Sequence, residues 1–219
     1  MTKQIKVILV DDHAIVRAGF RMLLATDEAI EVIGEAERGE SACQLYFETQ
    51  ADLMVLDLSM PGIGGLETIR RICNRDGKAK ILVFSVHDEK VYIDRAISAG
   101  AKGYITKHAH PEILIAAIKK IAEGEIYIEP GLLKDDALRS DKFETSNEAY
   151  KAIIDALSPR EFDVFLLLAK GLTSHKIADE LCLGYKTIAN YGTQIRNKLK
   201  VSSVAELAHI ALVLGVMKN

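Results

Sequence analysis

Acidic, hydroxyl and ammonium side chains recur in this sequence where short apolar runs end. Asp11 and Asp12 follow the first such run, Asp57 and Ser85 lie at the ends of the third and fourth, and Lys107 follows the fifth. Three carboxylates held close together repel one another, so they require a divalent cation such as Mg²⁺ or Mn²⁺. A carboxylate beside such a cation and a lysine can accept a phosphoryl group, because both positive charges offset charge on the transferring oxygens. These residue types therefore predict a phosphoryl-accepting site.

The side chains converge only if the runs that carry them are parallel strands. Residues 5–10, 30–35, 53–58, 81–85 and 103–106 are short and mostly apolar, as expected for strands buried on both faces. Segments with helical spacing of apolar residues follow them, at 15–24, 41–49, 65–74, 90–99 and 111–123. Five such units predict an α/β fold with a five-stranded parallel sheet and helices on both faces. The carboxyl ends of parallel strands meet at one edge, where ligands bind.

The alternation of strands and helices ends at residue 123. Residues 124–150 are charged, contain Pro130 and Gly131 and have no sustained apolar face, which is typical of a linker. Helical periodicity returns at residue 151. The sequence therefore predicts a first domain at residues 1–123, a linker at 124–150 and an all-α second domain at 151–219.

The second domain begins with a helix-start signal. Ser158, Pro159 and Glu161 form a capping-box pattern with proline at the first helical position. Apolar residues at helical spacing then predict four helices, of which the second and third are joined by a tight turn at residues 182–184. Two helices joined by a short glycine-containing turn, the second with a polar outward face, are typical of a helix-turn-helix.

The net charge of −3 divides unevenly along the chain. Residues 1–150 hold 19 Lys and Arg against 25 Asp and Glu, whereas residues 151–219 hold 9 against 6. A basic last part fits a nucleic-acid-binding domain. No apolar run approaches the roughly 20 residues that span a bilayer, so we expect a cytoplasmic protein with no membrane partner.

Four segments of the first domain, VDDH, LDLSMPGIGG, FSVHD and GYITK, resemble the signature segments of two-component receiver domains. The resemblance spans residues 3–123 and implies a flavodoxin-like fold, a bound Mg²⁺ and phosphorylation by a sensor histidine kinase. It assigns the phosphoacceptor to Asp57, and the metal ligands to Asp11, Asp12, Asp57 and the backbone of Ser59. It assigns the switch hydroxyl to Ser85, the switch aromatic ring to Tyr104 and the phosphate-pairing ammonium to Lys107.

Residues 155–215 are similar to the LuxR-type output domain, whose third helix enters the major groove of DNA. The resemblance implies contacts to double-stranded DNA from Lys176, Lys186, Thr187, Ala189, Asn190, Thr193, Gln194, Arg196 and Lys198. The chain departs from the family where Ala189, Gly192 and Thr193 replace common cations, and where Gly184 removes a side-chain helix cap. Few cations make few phosphate contacts, so we expect a homodimer bound to two half-sites.

Together the two resemblances identify the chain as a response regulator of the NarL/FixJ family. We expect a phosphorylation-controlled transcription regulator whose only catalysis is its own phosphoryl transfer and autodephosphorylation. An aspartyl-phosphate phosphohydrolase is an alternative, but it would need its nucleophile on the first strand and a cap domain. A ligand-sensing LuxR-type regulator without phosphotransfer is a second. A receiver whose helical domain binds a protein partner, or acts independently of phosphorylation, is a third.

Overall fold

The structure, a computed structural model, describes residues 4–132, 152 and 154–217. The chain divides into two compact units, the first formed almost entirely by the residues up to Leu133 and the second containing the C-terminal helices. Residues 133–150, which make up most of the predicted linker, lie outside the described residues. Within the described ranges, no helix has both the length and the apolar character of a membrane span.

The first unit is a parallel sheet in the order β2-β1-β3-β4-β5-β6. Its strands are β1 Ile5–Val10, β2 Ile30–Ala36, β3 Leu53–Leu56, β4 Ile81–Ser85, β5 Gly103–Thr106 and β6 Tyr127–Ile128. Its helices are α1 Ala14–Leu24, α2 Gly39–Glu48, α3 Gly65–Arg75, α4 Lys90–Ser98 and α5 Pro111–Ala122. The flavodoxin-like fold is confirmed, and the ends of the five predicted strands and five predicted helices shift by no more than two residues.

The sheet is buried on both faces because its strands are apolar at successive positions. Val7, Leu9 and Val55 belong to one core cluster together with residues of α1 and α5. The neighbouring residues Ile8 and Met54 point to the other face and are also fully buried. This continuous burial is the property of parallel strands that the apolar runs predicted.

The prediction of five strands is wrong, because residues 127–128 form a sixth. Tyr127 donates its backbone N–H to the Lys102 carbonyl, and Glu129 donates its own to the Tyr104 carbonyl. The Glu129 carboxylate then accepts hydrogen bonds from the backbone N–H and the hydroxyl of Thr106, at 2.7 and 2.9 Å. The sequence placed these residues in the linker, since a two-residue strand has no periodicity to detect.

The second unit contains the four predicted helices, α6 Pro159–Ala169, α7 Ser174–Glu180, α8 Tyr185–Leu199 and α9 Val204–Val213. The predicted capping box is confirmed: Ser158 accepts a hydrogen bond from the Glu161 N–H, and Glu161 accepts one from the Ser158 N–H. Each of α6, α8 and α9 buries an apolar face, with Phe165, Ile188 and Leu207 fully enclosed. The turn between α7 and α8 completes the helix-turn-helix.

We expect Glu129→Ala to lower the free energy of unfolding of the first unit by about 1–3 kcal/mol, because it leaves the backbone N–H of Thr106 without its acceptor. Urea denaturation followed by circular dichroism measures the change. The matched control is Glu125→Ala, at an exposed glutamate between α5 and β6. An equal effect of the two substitutions would contradict a specific role for Glu129.

Candidate functional site

Two buried carboxylates lie side by side at the carboxyl edge of the sheet. Asp11 follows β1 and Asp57 follows β3, and the two are 5% and 3% exposed. Strand β1 lies between β2 and β3, so the strand order reverses at this place. Ligands of open α/β sheets bind at such a reversal point. The fold therefore places both carboxylates where the sequence predicted a site.

Lys107 bridges the two carboxylates. Its Nζ lies 2.6 Å from Asp11 Oδ2 and 2.8 Å from Asp57 Oδ2. Burial raises the pKa of Asp57, and the opposing effect of Lys107 does not bring it back to its ordinary value. Burial lowers the pKa of Lys107, but the attraction and hydrogen bonds of the two carboxylates outweigh this and raise it. The pocket thus holds more negative than positive charge.

A third acidic residue and a histidine extend the pocket. One ligand atom from each of Asp11, Asp12 and His13 lies within 4.8 Å of the others, which is close enough to hold one metal ion. The buried Oδ1 of Asp12 lies 2.8 Å from His13 Nδ1, but it accepts no hydrogen bond within the described part of the chain. A buried oxygen without a donor is costly, and a cation would satisfy it. The donor set therefore fits a hard divalent cation.

The loop after β3 holds the Asp57 carboxylate in place. The Ser59 N–H donates to Asp57 Oδ1 at 3.2 Å. Gly65, the first residue of α3, packs directly against this loop. A Cβ atom on Gly65 would lie 2.4 Å from the Asp57 carbonyl oxygen, a distance that no side chain tolerates. The last glycine of the GIGG segment is therefore required by close packing beneath the carboxylate.

The remaining predicted residues of the pocket meet at His87, whose role the sequence did not reveal. The His87 N–H donates to the Ser85 hydroxyl at 3.3 Å, and the buried Tyr104 donates its hydroxyl to the His87 carbonyl at 2.9 Å. The His87 ring stacks on Tyr92, and its Nε2 lies 3.0 Å from the Ser59 hydroxyl. Residues this far apart in sequence have no spacing pattern that would predict the contacts. The Tyr104 ring already lies inside the domain.

In the second unit, most predicted DNA contacts lie on one polar face of the helix-turn-helix. The exposed members are Lys176 on α7 and Lys186, Thr187, Asn190, Thr193, Gln194 and Lys198 on α8. Ala189 and Arg196 are half-buried. The Arg196 guanidinium lies along α8 beside Gly192, where an added Cβ would make only ordinary contacts.

Lys198 differs from the other predicted contacts because it binds within the second unit. Its Nζ lies 2.7 Å from Oε2 of the buried Glu161. Burial raises the pKa of Glu161, but the hydrogen bonds from Lys198 and Ser158 outweigh it and lower the pKa. The structure thus places the Lys198 ammonium on the α6 capping box and not on the outward face of α8.

The first unit is a doubly wound sheet whose acidic pocket, bridged by Lys107, lies where the strand order reverses. A helix-turn-helix follows in the second unit. This combination defines the class of DNA-binding proteins that carry a phosphoryl-accepting receiver domain. Residues 7–119 match the family model of the response regulator receiver domain. Residues 155–211 match that of the bacterial regulatory proteins of the luxR family. The chain is a two-component response regulator of the NarL/FixJ family with a LuxR-type DNA-binding domain.

Individual relatives agree with this assignment along the whole chain. The transcriptional activator protein ExaE of Pseudomonas putida is 37% identical over 212 residues, covering 97% of this chain and 98% of the relative. Response regulator GacA of Pseudomonas aeruginosa is 37% identical over 213 residues, again covering 97% and 98%. The structure of RcsB from Salmonella enterica serovar Typhimurium bound to promoter P1flhDC with phosphomimetic BeF₃⁻ is similar at a TM-score of 0.63 and 26% identity, covering 98% of this chain and 100% of that one.

We expect Asp57→Asn to raise the thermal midpoint of the first unit at neutral pH without divalent cations. The folded-state pKa of Asp57 is raised, so the carboxyl favours folding below its ordinary value of about 3.9 and opposes folding as the pH rises through the folded-state pKa. Asparagine does not titrate, so the gain should be largest at neutral pH and vanish in acid. Thermal melts in EDTA across this pH range measure it.

The control for Asp57→Asn is Glu31→Gln, which neutralises an exposed carboxylate of β2. It should leave the thermal midpoint nearly unchanged at every pH. A lower midpoint for Asp57→Asn at neutral pH would contradict the charge imbalance inferred for the pocket.

We expect Lys198→Met to destabilise the second unit by about 1 kcal/mol, a figure reduced because the lysine is half-exposed. The buried Glu161 carboxylate would lose an ion partner. The salt dependence of DNA binding should not change, since the ammonium is held by Glu161. Urea denaturation and DNA titrations at several salt concentrations separate the two effects, and a shallower salt dependence at wild-type stability would restore the role as a phosphate contact.

Proposed function

We propose that Asp57 accepts a phosphoryl group from a sensor histidine kinase. The observation that carries this proposal is the Lys107 ammonium, 2.8 Å from a buried Asp57 carboxylate whose charge is only partly offset. Asp57 attacks as the carboxylate, an oxygen–phosphorus bond forms, and the phosphorus–nitrogen bond to the kinase histidine breaks. Lys107 then pairs with a phosphoryl oxygen. The same pocket can transfer phosphate from a small donor and can release it again by hydrolysis.

The metal in this proposal is Mg²⁺ or Mn²⁺, held by Asp11, Asp12, Asp57 and the backbone carbonyl of Ser59. When bound, it supplies positive charge to the phosphoryl oxygens during transfer. The unsatisfied Oδ1 of Asp12 and the excess of carboxylates over ammonium groups support this choice. In the absence of a cation, the Lys107 ammonium pairs with the carboxylates of both Asp11 and Asp57. A bound cation would replace it there and leave it able to contact the phosphoryl group.

The phosphoryl group acts on the rest of the domain through Ser85 and Tyr104. We propose that the Ser85 hydroxyl donates to a phosphoryl oxygen and that this favours the buried position of the Tyr104 ring. The Tyr104 hydroxyl donates to the His87 carbonyl, and the His87 backbone N–H donates to the Ser85 hydroxyl. Two hydrogen bonds through His87 therefore connect Ser85 with Tyr104. Because Tyr104 is already buried, phosphorylation would act by raising the population of an existing state.

The output is paired binding of double-stranded DNA. We propose a receiver at residues 1–123, extended by the edge strand β6, a linker up to residue 150 and a DNA-binding domain at 151–219. Phosphorylation would bring two chains together on two half-sites in the cytoplasm, where the kinase delivers its phosphoryl group. The RcsB complex with promoter DNA and a phosphomimetic supports this proposal through its similarity along both domains.

One observation favours a second candidate, in which the helical domain binds a protein partner. Of the four cations among the predicted DNA contacts, Lys176 and Lys186 are exposed, whereas Arg196 is half-buried and Lys198 is ion-paired. A surface with so few free cations gains little from counterion release on DNA.

Treatment with BeF₃⁻ and Mg²⁺, or with acetyl phosphate, tests the proposal on the full chain. We expect wild type to become phosphorylated by acetyl phosphate and to bind operator-like duplexes about tenfold more tightly, equal to about 1.4 kcal/mol. Asp57→Ala should abolish both effects, and Asp12→Asn should raise the Mg²⁺ concentration required. Phosphate-affinity electrophoresis, sedimentation velocity and fluorescence anisotropy measure uptake, pairing and binding.

Each outcome of this experiment selects one alternative. Phosphorylation of Asp57→Ala to the wild-type extent would place the phosphoacceptor elsewhere. Phosphorylation with unchanged pairing and DNA affinity would favour output independent of phosphorylation. Phosphorylation with no DNA binding by either form would favour a protein partner.

A further inference from the structure

Two exposed aromatic rings stack at the corner of the helix-turn-helix. The rings of His175, near the start of α7, and Tyr185, the first residue of α8, have centroids 4.2 Å apart at an interplanar angle of 28°. Tyr185 remains 48% exposed, so the stack does not belong to the hydrophobic core. The pair is thus a surface feature that joins the two helices.

The stack lies at the start of a helix that has no side-chain cap. Gly184 stands at the N-cap of α8 and makes no side-chain hydrogen bond, whereas Thr173 caps α7 through the Lys176 N–H. Capping residues contribute about 1 kcal/mol to the helix they begin. Contact between the His175 and Tyr185 rings links the uncapped first turn of α8 to α7.

The two stacked rings stand next to exposed cations in the sequence. Each ring is followed in sequence by an exposed lysine, Lys176 after His175 and Lys186 after Tyr185. The starts of α7 and α8 therefore carry two exposed lysines as well as the two stacked rings. A tyrosine hydroxyl is a common donor to phosphate oxygens, and its two-torsion side chain loses little entropy on binding.

We propose that Tyr185 donates a hydrogen bond from its hydroxyl to a DNA phosphate and that His175 is a positioning residue that holds the Tyr185 ring. This inference rests on the proposed binding of double-stranded DNA. The contact is neutral, so it strengthens binding without releasing counterions and without reading sequence. It supplies affinity that the recognition helix cannot obtain from cations.

Tyr185→Phe in the full chain treated with BeF₃⁻ and Mg²⁺ tests the proposal, because phenylalanine keeps the ring and removes only the hydroxyl. The probes are a labelled duplex selected from a random library by the wild-type protein, and poly(dA-dT) as non-specific DNA. We expect about 3- to 10-fold weaker binding to both probes, which lies in the range for loss of one typical hydrogen bond, with an unchanged salt dependence. Lys186→Gln should instead make the salt dependence shallower by about one unit in the log–log slope.

His175→Ala should weaken binding by a similar factor, and the double variant should be no weaker than either single one, since both changes remove the same contact. The matched control is Tyr191→Phe, at a half-buried tyrosine of the same helix, which should bind like wild type. Thermal melts of the second unit should be equal for Tyr185→Phe and wild type.

Wild-type affinity of Tyr185→Phe would overturn the proposal, and so would weakening confined to the selected duplex, which would make Tyr185 a reader of base edges. Independent, additive effects of His175→Ala and Tyr185→Phe would overturn the positioning role of His175. If the wild-type protein bound neither probe, the proposed DNA binding would be overturned, and this inference with it. If only the phosphoryl transfer failed, the difference in affinity between Tyr185→Phe and wild type would still be measurable without BeF₃⁻.

Discussion

The rest of the first domain depends on two buried carboxylates that share one ammonium group. Asp11 and Asp57 can approach each other only because Lys107 lies between them, and the lysine does not fully offset their charge. Burial keeps the pKa of Asp57 above its ordinary value, so the folded state carries a group that opposes it at neutral pH. A domain selected for stability alone would replace such a group, so the carboxylate indicates a site that sacrifices stability for chemistry.

The same constraint explains why β5 is so firmly anchored. Lys107 must extend from the end of β5, and its backbone N–H bonds to the Ser85 carbonyl at 2.7 Å. On the other side of β5, Glu129 accepts two hydrogen bonds from Thr106 and donates its N–H to the Tyr104 carbonyl. The strand is thereby held between the pocket on one side and β6 with Glu129 on the other. Hydrogen bonds thus join Thr106, the residue before Lys107, to Glu129.

The parts of this structure that could be predicted from sequence are those with a repeating physical signal. Buried parallel strands are apolar at successive positions, and their carboxyl ends must converge, so the edge carrying Asp11 and Asp57 followed from the pattern. The capping box at Ser158 followed from local residue types. Strand β6 did not, since two residues carry no period and their partner lies on β5, far along the chain.

Side-chain contacts that depend on tertiary packing could not be predicted from the sequence either. His87 contacts Ser59 and Tyr92 only because the loops after β3 and β4 end at the same edge of the sheet. Lys198 stands at a position where helical periodicity alone permits an outward contact. The buried Glu161 instead attracts its ammonium, because an unpaired buried carboxylate is costly.

Because some cations of the second domain bind partners within it, its positive net charge overstates the cations available to DNA. Residues 151–219 carry 9 Lys and Arg against 6 Asp and Glu, but Lys198 is paired with Glu161 and the buried Arg160 with Asp163 and the Leu181 carbonyl. These two cations bind partners within the second unit, at the ends of its helices. The proposed neutral contact of Tyr185 and the proposed pairing of chains would both add affinity, since two weak sites joined in one dimer bind far more tightly than either alone. In the proposed mechanism such a domain would bind DNA weakly as a monomer, and phosphorylation would control binding by pairing the chains.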